Sequence, residues 1–500
     1  MNMKQKNNIN KQVGNAAKWS VFTEIIVKLI SPITNMILAR LLVPAEFGVV
    51  ATVTMIVSFT DIFTDAGFQK YIVQHQFKDK DDENLSICVA FWTNISISIL
   101  LWIIIFVFSD EIAVSVGNPG LGHVISIGAL VLPLTSFSSI QTAIYRKSLN
   151  YKTISISRIT VKIIPLIVTV PLAILGFSYW SLIIGNIIGE LCNAIILTVL
   201  SNWKPSFKYS FEKLKQMFSF CGWTLLETIS SWLVTNIGIF VIGRLFNEYY
   251  LGIYKTGTTM VAQITSLISG ATISVLFSAL SQLQDDERKY REMYFSFLRG
   301  VGLLVVPLGI GIFMYRDVVR AILLGGQWGD ADLLVGFWGL ILAESVIFND
   351  MSGTLILSKG YPQLLFISNM IQAVCMVPTL LISSKYGFET VVITSCLVRI
   401  QLPVTQSIMA YKVSGIGIKD IFREIKWYIG ASFVMLLIGM IITNVVKNTI
   451  VRYMSIGVCI VVYFGTLLLI PSSRREILGY LDVLKGRLKN GHTINGGSKV

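Results

Sequence analysis

Apolar stretches of about 20 residues recur along this chain almost without interruption, and nothing constrains its fold more. About 20 apolar residues in a helix, at 1.5 Å rise each, cross the ~30 Å hydrocarbon layer of a bilayer. Fourteen such stretches are read, at roughly 19–39, 48–65, 85–108, 122–144, 154–175, 178–200, 217–243, 250–280, 297–315, 331–357, 363–384, 388–411, 427–446 and 451–470. Several are long enough to tilt. Only 14% of the residues are charged, against about 25% in an average soluble domain. The chain is therefore expected to be an all-α polytopic membrane protein. Pro32, Pro133, Pro165, Pro171, Pro378 and Pro403 fall inside spans. They are tolerated where neighbouring helices or a wet cavity satisfy the freed backbone groups.

The net charge of +13 could point to nucleic acid, but its distribution argues otherwise. Lys and Arg gather in the short loops on one side, with about a fourfold excess over the other side. This places both termini in the cytoplasm and leaves no reason to expect a nucleic-acid partner. No cleaved signal peptide is expected, because the first apolar run lacks a short core followed by a small-residue cleavage site. Cys88, Cys192, Cys221, Cys375, Cys396 and Cys459 all lie in apolar runs and none forms a CxxC. His75, His123 and His492 are scattered. No disulfide framework, metal site or cofactor is expected from these spacings.

The chain also resembles itself. A shift of 204 residues brings Trp19 onto Trp223, Arg40 onto Arg244, Leu41 onto Leu245 and Gly48 onto Gly252 without a gap. Thr52 and Thr54 then meet Thr256 and Thr258. Six spans separate the copies, so both enter the membrane in the same direction. The pattern predicts a parallel repeat of two six-helix lobes. The expected organisation is a cytoplasmic segment (1–18), an N-lobe (19–215), a C-lobe (216–426), two further helices (427–470) and a basic cytoplasmic tail (471–500).

Charges inside spans are costly and mark cavities or partners. In the first span Glu24, Lys28, Ser31 and Asn35 are spaced 4, 3 and 4, which puts them on one helical face, with Glu24 and Lys28 in reach of each other. The matching second-half span carries Thr228, Ser231 and Thr235, with Glu227 beside them. Arg158 and Lys162 lie one turn apart in the fifth span, and Arg399 lies in the twelfth. Lys28, Arg158, Lys162 and Arg399 would give a cavity positive character, suited to an anionic passenger such as a phosphate or diphosphate head group. Structural glue between helices, or snorkelling for residues near helix ends, is the competing explanation. Asp61 and Asp65, at the end of the second span, and Glu344 and Asp350 in the tenth could couple a cation. Asp61 and Asp65 could equally cap a neighbouring helix. Arg40 and Arg244 fall at the outer interface. The run KDKDDEN at 78–84 reads as a solvated loop.

The chain carries no Gly-rich phosphate loop, GxSxG or HExxH, and no large polar loop for a sugar-processing site. It is not expected to be an enzyme. Several segments resemble Wzx-type polysaccharide transporters of the MOP flippase superfamily: RLLVPAEFG (40–48), DAGFQKYIVQ (65–74), YRKSLNYKT (145–153), LGIYKTGTTM (251–260), LFSALSQLQDDERKYREMY (276–294) and LLGGQWGDADLL (323–334). They run in the family's order from about residue 15 to 340. Ser278 departs from the pattern by standing where proline is frequent. The resemblance implies two six-helix lobes around a central cavity plus two further helices. It also implies flipping of an undecaprenyl-diphosphate-linked oligosaccharide from the inner to the outer leaflet of a bacterial cytoplasmic membrane, by alternating access. Its partners would be that lipid-linked substrate, membrane lipids and a polysaccharide polymerase or other assembly protein. The alternatives are a MATE-like, cation-coupled exporter of small organic molecules and a membrane-bound enzyme of glycan assembly.

Overall fold

The computed structural model describes residues 3–479 except 66, 76, 149, 202, 446–448 and 477. The side chains of 3–18, 20, 21, 25, 65, 219–224, 227, 271 and 443–451 lie outside the described set. Among the described residues the chain is helical with no strand, and fourteen helical segments are long and apolar enough to cross a membrane.

In chain order the helices are α1 (Met3–Leu41), α2 (Pro44–Asp65), α3 (Phe68–Gln74), α4 (Lys80–Val107), α5 (Ser109–Ser115), α6 (Gly122–Gly128) and α7 (Val131–Lys147). Next come α8 (Tyr151–Ile174), α9 (Tyr179–Leu200), α10 (Phe211–Leu245), α11 (Glu248–Gln282), α12 (Glu287–Met314) and α13 (Arg316–Leu323). The chain continues with α14 (Asp332–Glu344), α15 (Met351–Ser358), α16 (Pro362–Ser383), α17 (Phe388–Arg399), α18 (Gln401–Ser414), α19 (Ile418–Val445) and α20 (Thr449–Leu469).

Two predicted spans are broken. The fourth divides into α6 and α7, and the twelfth into α17 and α18. In both, a proline (Pro133, Pro403) is the third residue of the second piece, where a missing N–H costs no intrahelical bond. The tenth span contains a π turn over Ser345–Asp350, directly after Glu344. Such turns insert an extra residue and are common at functional positions. The run at 78–84 is not a free loop. Asp79 accepts a bond from the Asp82 N–H and caps α4. Asp82 pairs with Lys213 at the start of α10, which raises the lysine above its ordinary range. Glu83 pairs with Lys147 at 2.7 Å. The acidic residues occupy the positive end of a helix and meet two bases there.

Close contacts divide the chain into two compact units. The first comprises residues 1–263, 320–334 and 366–399. It has a core of Phe68, Tyr71 and Phe91 packed with Ile140 and an aliphatic one of Val53, Ile105, Ile125, Leu132 and Ile183. The second comprises 264–319, 335–365 and 400–500. Its core is rich in tyrosine, and three of the hydroxyls are bonded across helices: Tyr290 with Ser358 at 2.7 Å, Tyr315 with Ser455 at 2.7 Å, and Tyr463 to the Leu303 carbonyl at 2.8 Å. Arg299 of α12 bridges Glu424 (2.8 Å) and Glu476 (3.0 Å). Buried hydroxyls left unpaired are expensive in a bilayer, so these bonds fix how α12, α19 and α20 pack.

Candidate functional site

Among the described residues, three cavities with polar side chains in their walls open in the first unit. The largest, about 410 Å³, is lined by Ser58, Asp61 and Lys70 together with Thr228, Ser231, Thr235 and Asn236. The polar stripe read on the second-half span therefore faces the acidic end of α2. Asp61 accepts hydrogen bonds from Thr64 (2.8 Å) and Thr135 (3.3 Å). It is held by side-chain hydroxyls rather than capping a helix. The Trp232 indole donates to Ser58 (2.9 Å) and closes one wall. Asp65 and the Glu227 side chain lie outside the described residues.

A second cavity of about 240 Å³ has Thr34, Asn35, Thr54, Thr169 and Asn186 among its walls. A third, about 200 Å³, shares Asn35 and Thr54 with it and adds Lys255, Thr256 and Thr259 from α11. Lys255 was not picked out in the sequence. Its ammonium makes no ion pair or hydrogen bond with a described residue, and no carboxylate lines the cavity. A detectable signal was present: Lys255 lies inside a predicted span with no acid three or four residues away on either side. A solitary cation among three hydroxyls, an amide and the apolar side chains of Phe47, Val50, Ala51, Leu182 and Met260 offers charge and donors to an anion.

The other sequence candidates are distributed around this unit. Glu24 of α1 accepts from Arg158 of α8 at 2.7 Å, with both side chains nearly half exposed. Lys28 and Ser31 are half-buried further along α1. Lys162 is exposed one turn beyond Arg158 and acts electrostatically on Glu190 of α9. Glu190 in turn accepts from Asn193 (3.1 Å), whose carbonyl accepts from Ser157. Arg399, at the end of α17, faces the buried phenol of Tyr254 on α11. The first-span stripe thus supplies a partner for Arg158 through Glu24 and a wall for two cavities through Asn35. In the second unit, Glu344 precedes the π turn, and Asp350 closes it, accepting from Asn349 at 3.1 Å.

Arg40 and Arg244 each end a long helix. Arg40 donates to the Met36 carbonyl (2.7 Å) and to the Ile322 carbonyl (2.6 Å). Arg244 donates to the Val114 carbonyl at 2.7 Å. The fully buried Trp328 donates its indole N–H to the Ala39 carbonyl (2.7 Å) and packs edge-on against Phe47.

Fourteen apolar helices with polar cavities between them define a multi-span membrane protein of the transporter class. The chain belongs to the polysaccharide biosynthesis protein family, whose model matches residues 37–332. It is similar to the succinoglycan biosynthesis transport protein ExoT of Rhizobium meliloti (strain 1021), 23% identical over 66% of each chain. It is also similar to the lipopolysaccharide biosynthesis protein WzxC of Escherichia coli (strain K12), 22% identical over 74% of each. These matches cover about two thirds to three quarters of either relative. Among solved structures, the lipid II flippase MurJ in an inward closed conformation superposes with a TM-score of 0.73 at 14% identity, over 91% of this chain and 98% of that one. The last likeness bears on the fold alone.

Proposed function

We propose that the protein flips a lipid-linked oligosaccharide, carried on an undecaprenyl diphosphate, from the inner to the outer leaflet of a bacterial cytoplasmic membrane. The observation that carries this reading is the Lys255 cavity. Its lone ammonium, the Asn35 amide and the hydroxyls of Thr54, Thr256 and Thr259 suit phosphate oxygens and sugar hydroxyls. The names of the relatives, a transport protein and a lipopolysaccharide biosynthesis protein, support the same passenger class. Lys28 and Lys162 would extend the basic lining. Arg158, neutralised by Glu24, would become available when that pair separates. Asp61, with Glu344 and Asp350, supplies carboxylates on which a coupling cation could act. The halves 19–215 and 216–426 would move as lobes in alternating access, with 427–470 as two added helices and both termini in the cytoplasm. A cation exporter would want the acid where Lys255 stands, which disfavours that alternative.

The test is complementation of a flippase-deficient strain, with the accumulated lipid-linked intermediate measured by mass spectrometry. Expression should clear the intermediate and restore surface polysaccharide. An intermediate that persists at the deficient level, with the protein present in the membrane, would refute the reading.

A further inference from the structure

The two arginines that mark the repeat make matching contacts with exchanged halves. Arg40, at the end of α1, reaches the Ile322 carbonyl in the last turn of α13. Arg244, at the end of α10, reaches the Val114 carbonyl in the last turn of α5. Val114 and Ile322 occupy equivalent places: each is followed three residues later by a left-handed glycine, Gly117 (φ +86°) and Gly325 (φ +93°). Those glycines lie against the arginine backbones. A Cβ on Gly117 would stand 2.8 Å from the Arg244 Cα, and one on Gly325 would stand 4.0 Å from the Arg40 Cα. First-half Arg40 thus finishes a second-half helix, and second-half Arg244 finishes a first-half helix. In each case the cation sits at the negative end of the helix.

Three features separate this pair from permanent packing. Both arginine side chains are exposed. The cross-half acceptors are backbone carbonyls, which water can satisfy when the arginine leaves. The Arg40 contact also adjoins the Lys255 cavity: Trp328, bonded to the carbonyl of Ala39 next to Arg40, packs on Phe47, and Phe47 lines that cavity.

We propose that Arg40 and Arg244 form a paired latch that holds this end of the first unit shut over the Lys255 cavity and must release in each transport cycle. The latch rests on the flippase reading for its role, but its state can be measured without a passenger. In a chain with its six cysteines replaced by serine, Thr259→Cys reports on the cavity. Labelling by a membrane-impermeant maleimide from the outer side of intact cells is expected to be slow. In Arg40→Ala/Arg244→Ala it should rise about tenfold, as the closed population gives way to the open one, with each single variant in between. Arg40→Lys/Arg244→Lys should stay near the parent, since an ammonium can still bond a carbonyl. Labelling of the double alanine variant at the parent rate would overturn the latch, as would lysine variants that open as fully as alanine. Should the double alanine chain fail to accumulate, the single variants decide: Arg40→Ala or Arg244→Ala labelled at the parent rate would overturn the latch, and faster labelling in each would support it. A wild-type chain, with Thr259 and its cysteines intact, that fails complementation refutes the passenger reading and leaves the labelling result standing.

Discussion

Gly48 and Gly252 each sit against the other's helix turn. A Cβ on Gly48 would lie 1.9 Å from the Glu248 carbonyl oxygen, and one on Gly252 would lie 1.8 Å from that of Pro44. Pro44 and Glu248 are themselves 204 residues apart, so the contact is reciprocal. Neither distance admits a methyl group without backbone movement.

Gly48→Ala and Gly252→Ala should therefore each destabilise the protein by about 1–3 kcal/mol. The double variant should cost less than the sum, because the separation forced by one methyl makes room for the other. Thermal unfolding of the detergent-purified protein checks this. A fully additive double variant would contradict the shared contact.

Lys255→Gln removes the charge and keeps a donor. It should leave the protein at normal levels in the membrane and slow clearance of the lipid-linked intermediate at least about tenfold, equivalent to about 1.4 kcal/mol. Lys255→Arg should retain most activity. If Gln and Arg behave alike, the charge is not what the cavity contributes.

The Glu24–Arg158 pair is nearly half exposed, and such pairs contribute about 0–1 kcal/mol to stability. Exchanging the two residues (Glu24→Arg with Arg158→Glu) should shift the unfolding temperature little. Transport should fall at least fivefold, because the released cation now stands on α1 instead of α8. Wild-type transport in the exchanged variant would reduce the pair to structural glue.

Asp61→Asn preserves the acceptor oxygen used by Thr64 and Thr135 but removes the charge from the cavity that also holds Lys70. The expected result is normal folding with transport reduced about tenfold. Asp61→Glu should recover part of it. Retention of full transport in the Asn variant would exclude Asp61 from coupling.

Most of the architecture was legible because the bilayer imposes it: apolar length alone locates fourteen spans, and the described residues contain fourteen. The breaks were harder to read. Pro133 and Pro403 were visible, but a proline in the first turn of a new helix and one inside a continuous helix look alike in a string of letters. The short helices α3, α5 and α13 fall below the length at which periodicity speaks. At the site, the first-span stripe was readable from spacing, whereas the capture of Glu24 by Arg158 depends on how α1 and α8 meet. Lys255 went unread because it lies in a quoted family motif and only six residues into its predicted span, near enough to an end to pass as snorkelling. The run at 78–84 is largely exposed, as read, but it opens α4 rather than forming a loop; its cap, Asp79, lies within the run, whereas its partners Lys147 and Lys213 come from two distant stretches.

The exchange of helix ends between Arg40 and Arg244 also bears on ancestry. A surface that meets its own copy through the same residues is the mark of a two-fold dimer. Each half carries both the arginine and the helix end that an arginine must finish. Had the halves begun as one six-span polypeptide, that chain would have completed its helix ends only by pairing with a sister molecule, and the surface such a pairing needs is still present in the two arginines and the two helix ends they finish.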